Sequence, residues 1–522
     1  VCAYPKVLEE VAAHHGKIRL PPDWGHNSAR RFIRIVPPIP GLWNNFIHDS
    51  CACNELVGVT NRVLGKVPLP TEQGIKEIRH EMKLTARKCH PMEPWTYKQV
   101  LDTFHGHKRR IYEQAYAELQ VSPLDHRDAY IKAFVKAEKM NPAAKINPDP
   151  RMIQARSPRY NLTIAKYLRP IEHYIYNLKG KSGLREVAKG LNQLERAELI
   201  KNKFAQFRNP VCFSIDASRW DKHVSYDVLQ IEHDFYKRVV PNHPEFQRLL
   251  AWQLDNHIVT SNGLKYRAHG GRMSGDMNTG LGNCYLAVLM VRAAMRRLGI
   301  KKYEIVDDGD DCLVIVEEED FSKISAELPR VFLEYGQELK VENIARDYRQ
   351  VLFCQSRIVS NGIGDVMVRD WRKVMSGACC GTKRWNDPNM VRPMLGLVGT
   401  CELALCAGVP ILQEFAKALI FNSHGKIANF EHLAGTGLDY RLKSEFGTVD
   451  QAKFLSKARD VTDDSRLDFE EAFGTPVWEQ IEIEERLKRW TITDTTCADY
   501  ASEYDHSWVD ATHADNQIPE IY

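Results

Sequence analysis

Two short apolar runs, residues 303–306 and 312–316, are rich in β-branched side chains and flank Asp307-Asp308-Gly309-Asp310-Asp311. Such runs on either side of a Gly-containing turn predict a β-hairpin, here with acids at its tip. Residues 211–215 form a third run, ending in the carboxylate of Asp216, as a buried strand delivering an acid to a site would. After Gly280 the pattern is helical through Leu298 and stops at Gly299, a residue suited to a left-handed C-cap. Downstream of about Gly362 the pattern is mostly helical. Residues 1 to about 125 instead mix short helical patterns with Pro-rich turns such as Val36-Pro37-Pro38-Ile39-Pro40, which predicts irregular segments wrapped around a core. Nothing repeats at a fixed period and no block is of low complexity, which argues against a solenoid. The most apolar stretch, residues 395–421, is interrupted by Glu402, Pro410, Gln413 and Glu414, so the chain contains no unbroken membrane span. Residues 491–522 carry seven acids and no Lys or Arg, the pattern of a mobile acidic tail.

Composition adds scale to this picture. With 522 residues, 43% hydrophobic and 27% charged, the chain can bury a large core and is expected to divide into two or more lobes. Its net charge of +3 is uninformative, but residues 131–169 hold nine Lys or Arg against two acids. That local excess suits a channel for a polyanion, with a solvated basic face as the alternative. Thirteen scattered cysteines, an odd number without regular spacing, predict a reducing compartment. A start at Val1-Cys2-Ala3 without Met suggests a cleaved product, a trimmed chain or the downstream part of a longer protein, and no signal peptide follows.

Four carboxylates within five residues repel one another, and a divalent cation is their natural partner. Hard oxygen ligands suit Mg²⁺, with a solvated acidic turn as the alternative. Asp216 and Asp221 lie upstream in Ser214-Ile215-Asp216-Ala217-Ser218-Arg219-Trp220-Asp221, and a strand ending beside the hairpin brings Asp216 near Asp310. Between them lies Gly270-Gly271-Arg272-Met273-Ser274-Gly275-Asp276-Met277-Asn278-Thr279-Gly280-Leu281-Gly282-Asn283. Its glycines allow close approach of a nucleic-acid chain, and Thr279 and Asn283 share a helix face; a structural loop with a capping Thr is the alternative. His48, Cys51 and Cys53 with Cys89 and His90 offer zinc ligands, but no spacing among them closes a site, so they are read as structural.

Together these segments resemble the palm of viral RNA-dependent RNA polymerases: Asp216 and Asp221 match the first motif, Ser274-Gly275 through Thr279 to Asn283 the second, and Gly309-Asp310-Asp311 the third. Residues 134–139 and 150–161 resemble the basic fingers motif of tombusvirus-like replicases of positive-strand RNA viruses, and residues 336–342 and 353–357 their fourth and fifth palm motifs. Asp307 and Asp308 depart from that pattern, since uncharged residues usually stand there; both are expected outside the metal shell. The resemblance implies an α+β right-hand fold with an antiparallel palm sheet and largely helical fingers and thumb. The implied division is an N-terminal segment and fingers over 1–208, a palm over 209–361 with a fingers insertion at about 240–270, a thumb over 362–490 and a tail over 491–522. Asp216, Asp310 and Asp311 are implied to hold Mg²⁺, with Mn²⁺ as an alternative, and Lys340 to protonate pyrophosphate, with a solvated helix-end lysine as the alternative. Lys139, Arg151 and Arg159 are implied to bind the nucleoside triphosphate, and Asp221, Ser274, Thr279 and Asn283 its ribose.

The implied partners are template and nascent RNA, ribonucleoside triphosphates, and viral or host replication factors. The implied location is host cytoplasm at membrane-associated complexes, reached through segments or partners outside this chain. A reverse transcriptase or another palm-type DNA polymerase is the first rival, opposed by the polar Asp221 and Asn283 where a bulky residue generally excludes the 2′-hydroxyl. A non-catalytic RNA-binding scaffold is the second, opposed by the intact acids at 216, 310 and 311.

Overall fold

The apolar runs around the acidic turn lie at the centre of the structure, a computed structural model that describes residues 1–26, 30–35, 42–43, 45–142, 144–433, 438, 457–492 and 497–499. In chain order the first strands are β1 (Ile33–Ile35), β2 (Ile131–Val135), β3 (Met152–Ala155), β4 (Pro210–Ala217), β5 (Asp255–Thr260) and β6 (Lys265–His269). They are followed by β7 (Tyr303–Asp308), β8 (Asp311–Glu317), β9 (Leu339–Ala345), β10 (Ser356–Ser360), β11 (Asp365–Arg369), β12 (Cys380–Gly381) and β13 (Cys497–Asp499).

The central sheet has the order β7-β8-β4-β9 and is antiparallel throughout. Its strands read as continuous apolar runs because both faces are covered. Val211, Phe213, Ile215, Ile305, Val314 and Val316 enter one core with the helices Pro158–Tyr176, Tyr226–Val239, Thr279–Leu298 and Glu318–Glu334. Cys212, Val306, Leu313 and Ile315 alternate into a second core with the helix Gln193–Phe204, β10 and β11. Each large apolar side chain contributes roughly 1.5–3 kcal/mol when buried. A slip of one residue would exchange the two faces, so the register that carries the acids is tightly specified.

The helix Thr279–Leu298 is buried on nearly every side and ends at Gly299, whose φ of 71° lets the N–H groups of Gly299 and Ile300 bond the carbonyls of Arg296 and Met295. A second sheet, β3-β2-β5-β6, is mixed rather than antiparallel, because β2 runs parallel to β5. It joins the basic segment to residues 255–269 and buries one face against Val59 and Leu64. Farther along, a third core gathers the helices Trp371–Ala378, Pro388–Cys406, Leu412–Asn422, Asp463–Phe473 and Val477–Arg489. The apolar stretch 395–421 is divided between two of these helices, and among the described residues no helix is long and apolar enough to cross a membrane.

After Gly362 the chain is mostly helical, with β11 and the short β12 on either side of the helix Trp371–Ala378. One expectation changes. Within the acidic stretch, Cys497–Asp499 form β13, paired antiparallel with β1. Strand pairing uses backbone groups, which the charge pattern of that stretch does not reveal. Residues 493–496 and 500–522 of the expected tail, and 36–40 of the Pro-rich turn, lie outside the described residues.

Candidate active site

β7 and β8 are joined by Gly309-Asp310 alone, and Gly309 takes a φ of 69°, which side chains resist and so tight a turn demands. Asp308 faces Asp311 as the last pair of the hairpin. On the other edge of β8, Ile215 pairs with Cys312, so the next step of the register sets Asp216 beside Asp311. β9 places Lys340 directly opposite Asp216. Asp216, Asp310 and Asp311 are open to solvent, and among the described residues none of their carboxylates accepts a hydrogen bond or forms an ion pair. The Asp311 carboxyl is pushed up to about 6, by partial burial among the strand ends and then by the charges of Asp310, Asp308 and Asp216.

The extra acids stand apart from this set. Asp308 is held between Lys189 Nζ at 2.7 Å and the Arg196 guanidinium at 2.8 Å, and these cations keep it below the usual carboxylate range against its burial. Asp307 is buried near the thiols of Cys284 and Cys312, where burial and the Asp308 charge hold its carboxyl well above that range. Three open carboxylates remain, hard-oxygen donors of the type a divalent metal takes, though their oxygens do not all lie within 4.8 Å of one another.

A pH dependence follows. An unfolded Asp releases its proton near pH 4, whereas folded, metal-free Asp311 keeps it to about 6. The folded state therefore holds more protons in this window, and stability falls as pH rises through it. Asp311→Asn is expected to flatten that slope in thermal melts run with a chelator, and an unchanged slope would show that another group titrates.

A cleft of about 310 Å³ opens beside Asp310, lined by Arg62, Lys136, Arg151, Asp221, Ser274 and Asn283 among others. A neighbouring pocket of about 730 Å³ holds Asp216 and Lys340, and the two share Arg62, Ala217 and Arg219 as a wall. Asn283 fixes the floor of the cleft: its amide donates to Asp221 Oδ1 at 3.0 Å, while its Oδ1 accepts from Trp220 Nε1 and Arg272 Nε, each at 2.9 Å. Arg272 is in turn clamped by both oxygens of Glu232, which also accepts from Tyr236 Oη and Asn278 Nδ2, each at 3.0 Å. Burial raises the Asp221 carboxyl, and Arg272 and Asn283 oppose the rise. Glu232 is pulled below the usual range by Arg272 despite complete burial.

Not every expected residue reaches the cleft. Ser274 and Thr279 line it, yet their hydroxyls donate to the carbonyls of Met152 and Met273, each at 2.9 Å, and so tie down the loop. Lys139 is elsewhere, donating to Gly377 O at 2.6 Å in a pocket with Gln355, Arg369 and Glu402. Arg159 is also elsewhere, bonded to Asp128 at 3.0 Å and to the carbonyls of Ser122 and Pro123. Of the basic segment, Lys136, Lys145 and Arg151 face the two pockets, while Arg156 is buried against Asp276 at 2.6 Å and Asn256 at 2.7 Å. Among the glycines, Gly270 and Gly271 take φ of 73° and 83°, and Gly271 lines the cleft. At two others protein makes the close approach: a side chain on Gly275 would meet the backbone of Gln154 and Ala155, and one on Gly282 the Arg272–Glu232 pair.

The family model described as viral RNA dependent RNA polymerase matches residues 31–495. The chain belongs to that family. It is 36% identical over 440 residues to the RNA-directed RNA polymerase of Groundnut rosette virus (strain MC1), covering 82% of this chain and 50% of the relative. To the RNA-directed RNA polymerase of Tomato bushy stunt virus (strain Cherry) it is 33% identical over 483 residues, covering 89% of this chain and 57% of the relative. To that of Turnip crinkle virus it is 36% identical over 494 residues, covering 88% and 61%. The chain thus spans about half to three fifths of the length of these relatives.

Within this member of the viral polymerase family, sequence reasoning missed Glu232, Arg272, Lys189, Arg196 and Lys136 as parts of the site. Arg272 stands inside the Gly-rich loop, so its position was a usable signal. Glu232 carried none, being one acid on an amphipathic helix. Lys136 directly follows β2, and its backbone N–H bonds Arg151 O at 2.8 Å, which keeps it beside the cleft while Lys139 has turned away.

Proposed function

We propose that the chain is an RNA-dependent RNA polymerase that adds ribonucleoside monophosphates to an RNA 3′ end and releases pyrophosphate. The observation that carries this reading is that Asp216, Asp310 and Asp311 stand at adjacent strand ends, their carboxylates without an ion pair among the described residues, where Asp310 and Asp216 line two adjoining pockets walled by cations, in a chain of this family. In this reading the sheet β7-β8-β4-β9 is the palm, the sheet containing β2 and β5 belongs to the fingers with about 240–270 inserted from the palm, and 362–490 is the thumb.

Asp216, Asp310 and Asp311 would hold Mg²⁺, or Mn²⁺ in its place. When bound, the divalent metal lowers the pKa of the attacking 3′-hydroxyl and neutralises charge on the leaving pyrophosphate. Arg151, Lys136 and Arg62 bind the triphosphate, Arg151 by a planar fork suited to paired phosphate oxygens. Lys340, across the sheet from Asp216, donates a proton to the departing pyrophosphate. Asp221 and Asn283 select the ribose: Trp220 and Arg272 hold the Asn283 amide toward Asp221, so a 2′-hydroxyl entering there meets oriented polar groups. Such a site rejects a deoxy analogue because those groups would be left unpaired.

Incorporation of ATP and of dATP on one RNA template, with and without Mg²⁺, tests the proposal. The parent chain is expected to prefer ATP, and Asn283→Ala to narrow the ratio of kcat/KM values by about tenfold, the scale of one hydrogen bond to a charged group. A parent preference for dATP would overturn the reading. Arg151→Ala is expected to raise the nucleotide KM about tenfold, whereas Lys139→Ala leaves it unchanged. The reverse result would return Lys139 to the triphosphate site.

A further inference from the structure

The segment before the first long helix carries chemistry that nucleotide transfer does not use. Cys51 is the N-cap of the helix Ala52–Val59 and Cys53 lies in its first turn. Cys2 reaches them from the start of the chain and His26 from an intervening loop. Cys53 Sγ lies 3.0 Å from Cys2 Sγ, 3.1 Å from Cys51 Sγ and 3.9 Å from His26 Nδ1, and Cys51 Sγ lies 3.9 Å from Cys2 Sγ. The four ligand atoms all fall within 4.8 Å of one another.

These distances exclude disulfides, which require sulfur atoms about 2.0 Å apart. They surround the value for a tetrahedral zinc ion, whose bonds of about 2.3 Å to sulfur and 2.0 Å to nitrogen set neighbouring ligand atoms roughly 3.4–3.8 Å apart. Thiols are weak hydrogen-bonding groups, so three buried sulfurs in contact gain little from one another. The histidine is also oriented as a ligand would be. Its Nε2 faces Asp49 Oδ2 at 3.7 Å, which leaves Nδ1 toward the sulfurs. Asp49 is itself buried and accepts the Arg30 backbone N–H at 3.0 Å. A carboxylate behind the distal nitrogen is the usual support of a metal-bound imidazole.

We infer that Cys2, His26, Cys51 and Cys53 form a structural zinc site. Four protein ligands leave no open position, so the ion is a clamp rather than a catalyst. It fastens the N-terminal segment to the helix Ala52–Val59. That segment then runs behind the active site: Lys6 pairs with Asp149 at 2.9 Å, and Glu9 with Arg219 and, at 2.9 Å, with Lys222. Val11 and Arg19 bridge to Gly65 and Lys265. Arg219 and Lys222 both line the cleft beside Asp310, so the clamp braces one of its walls.

The test is metal analysis of the purified full chain after dialysis against metal-free buffer. About one tightly held zinc per chain is expected. Cys53→Ser should lose it and Cys89→Ser should keep it. Because Cys53→Ser can also misfold, the parent chain supplies independent readings: a mercurial titrated against its thiols should release zinc in step, and Co²⁺ in place of zinc should give the visible absorption of a tetrahedral thiolate complex. A folded parent chain without zinc, one with iron in its stead, a Cys51–Cys53 or Cys2–Cys53 disulfide detected by mass, or zinc retained in folded Cys53→Ser would each overturn the assignment.

Discussion

Asp310→Asn is expected to reduce nucleotide incorporation by at least about 10²-fold, the scale of losing one electrostatic catalytic group, without loss of thermal stability. The two halves of that expectation have one cause. Asp310 sits at the turn, open to solvent, and its carboxylate has no hydrogen-bond or ion-pair partner among the described residues, so removing its charge breaks no contact there. It also relieves repulsion, since Asp310 raises the carboxyls of both Asp311 and Asp221. The variant should therefore melt at or above the parent temperature with a chelator present, and gain less from added Mg²⁺. Near-parent RNA synthesis by folded Asp310→Asn would remove this residue from the metal set.

Arg272→Met is expected to destabilise the chain by about 3–5 kcal/mol, the effect of removing one partner from a buried ion pair. Arg272 and Glu232 are both fully buried, and among the described residues Met leaves the Glu232 carboxylate with only Tyr236 and Asn278 as donors. Asn283 also loses one of the two donors that orient its amide toward Asp221, so the preference for ATP over dATP should narrow in whatever folded protein remains. The measurements are the melting temperature and that ratio. Arg151→Ala is the contrast, because its pair with Glu138 is largely exposed and such pairs contribute at most about 1 kcal/mol. Equal losses of stability in the two variants would show that the Arg272–Glu232 pair is not a keystone.

The acids and the strands that carry them were legible because a single run of residues encodes both. In 303–316 the β-branched positions dictate two strands, Gly309 permits the turn, and the carboxylates can then only lie at its tip. Asp216 was legible for the same reason, as the end of an apolar run. The basic segment was legible as a charge and not as a set of roles. Lys136 and Lys139 are three residues apart and equivalent in composition, yet one lines the cleft and the other bonds a carbonyl at residue 377.

The difference is one of range. Periodicity, turn residues and local charge act between neighbours in the chain, so the sequence by itself determined the hairpin, the helix that ends at Gly299, and the identity of the open carboxylates. What the tertiary structure decided depends on pairs far apart in sequence, whose cost of burial is repaid only when both partners arrive. Glu232 is ionised in the core because Arg272 meets it there, and Asp308 is neutralised because Lys189 and Arg196 come from another segment. Cys51 and Cys53 likewise lacked a convincing ligand set until folding brought Cys2 and His26 to them, since no spacing along the chain records that meeting.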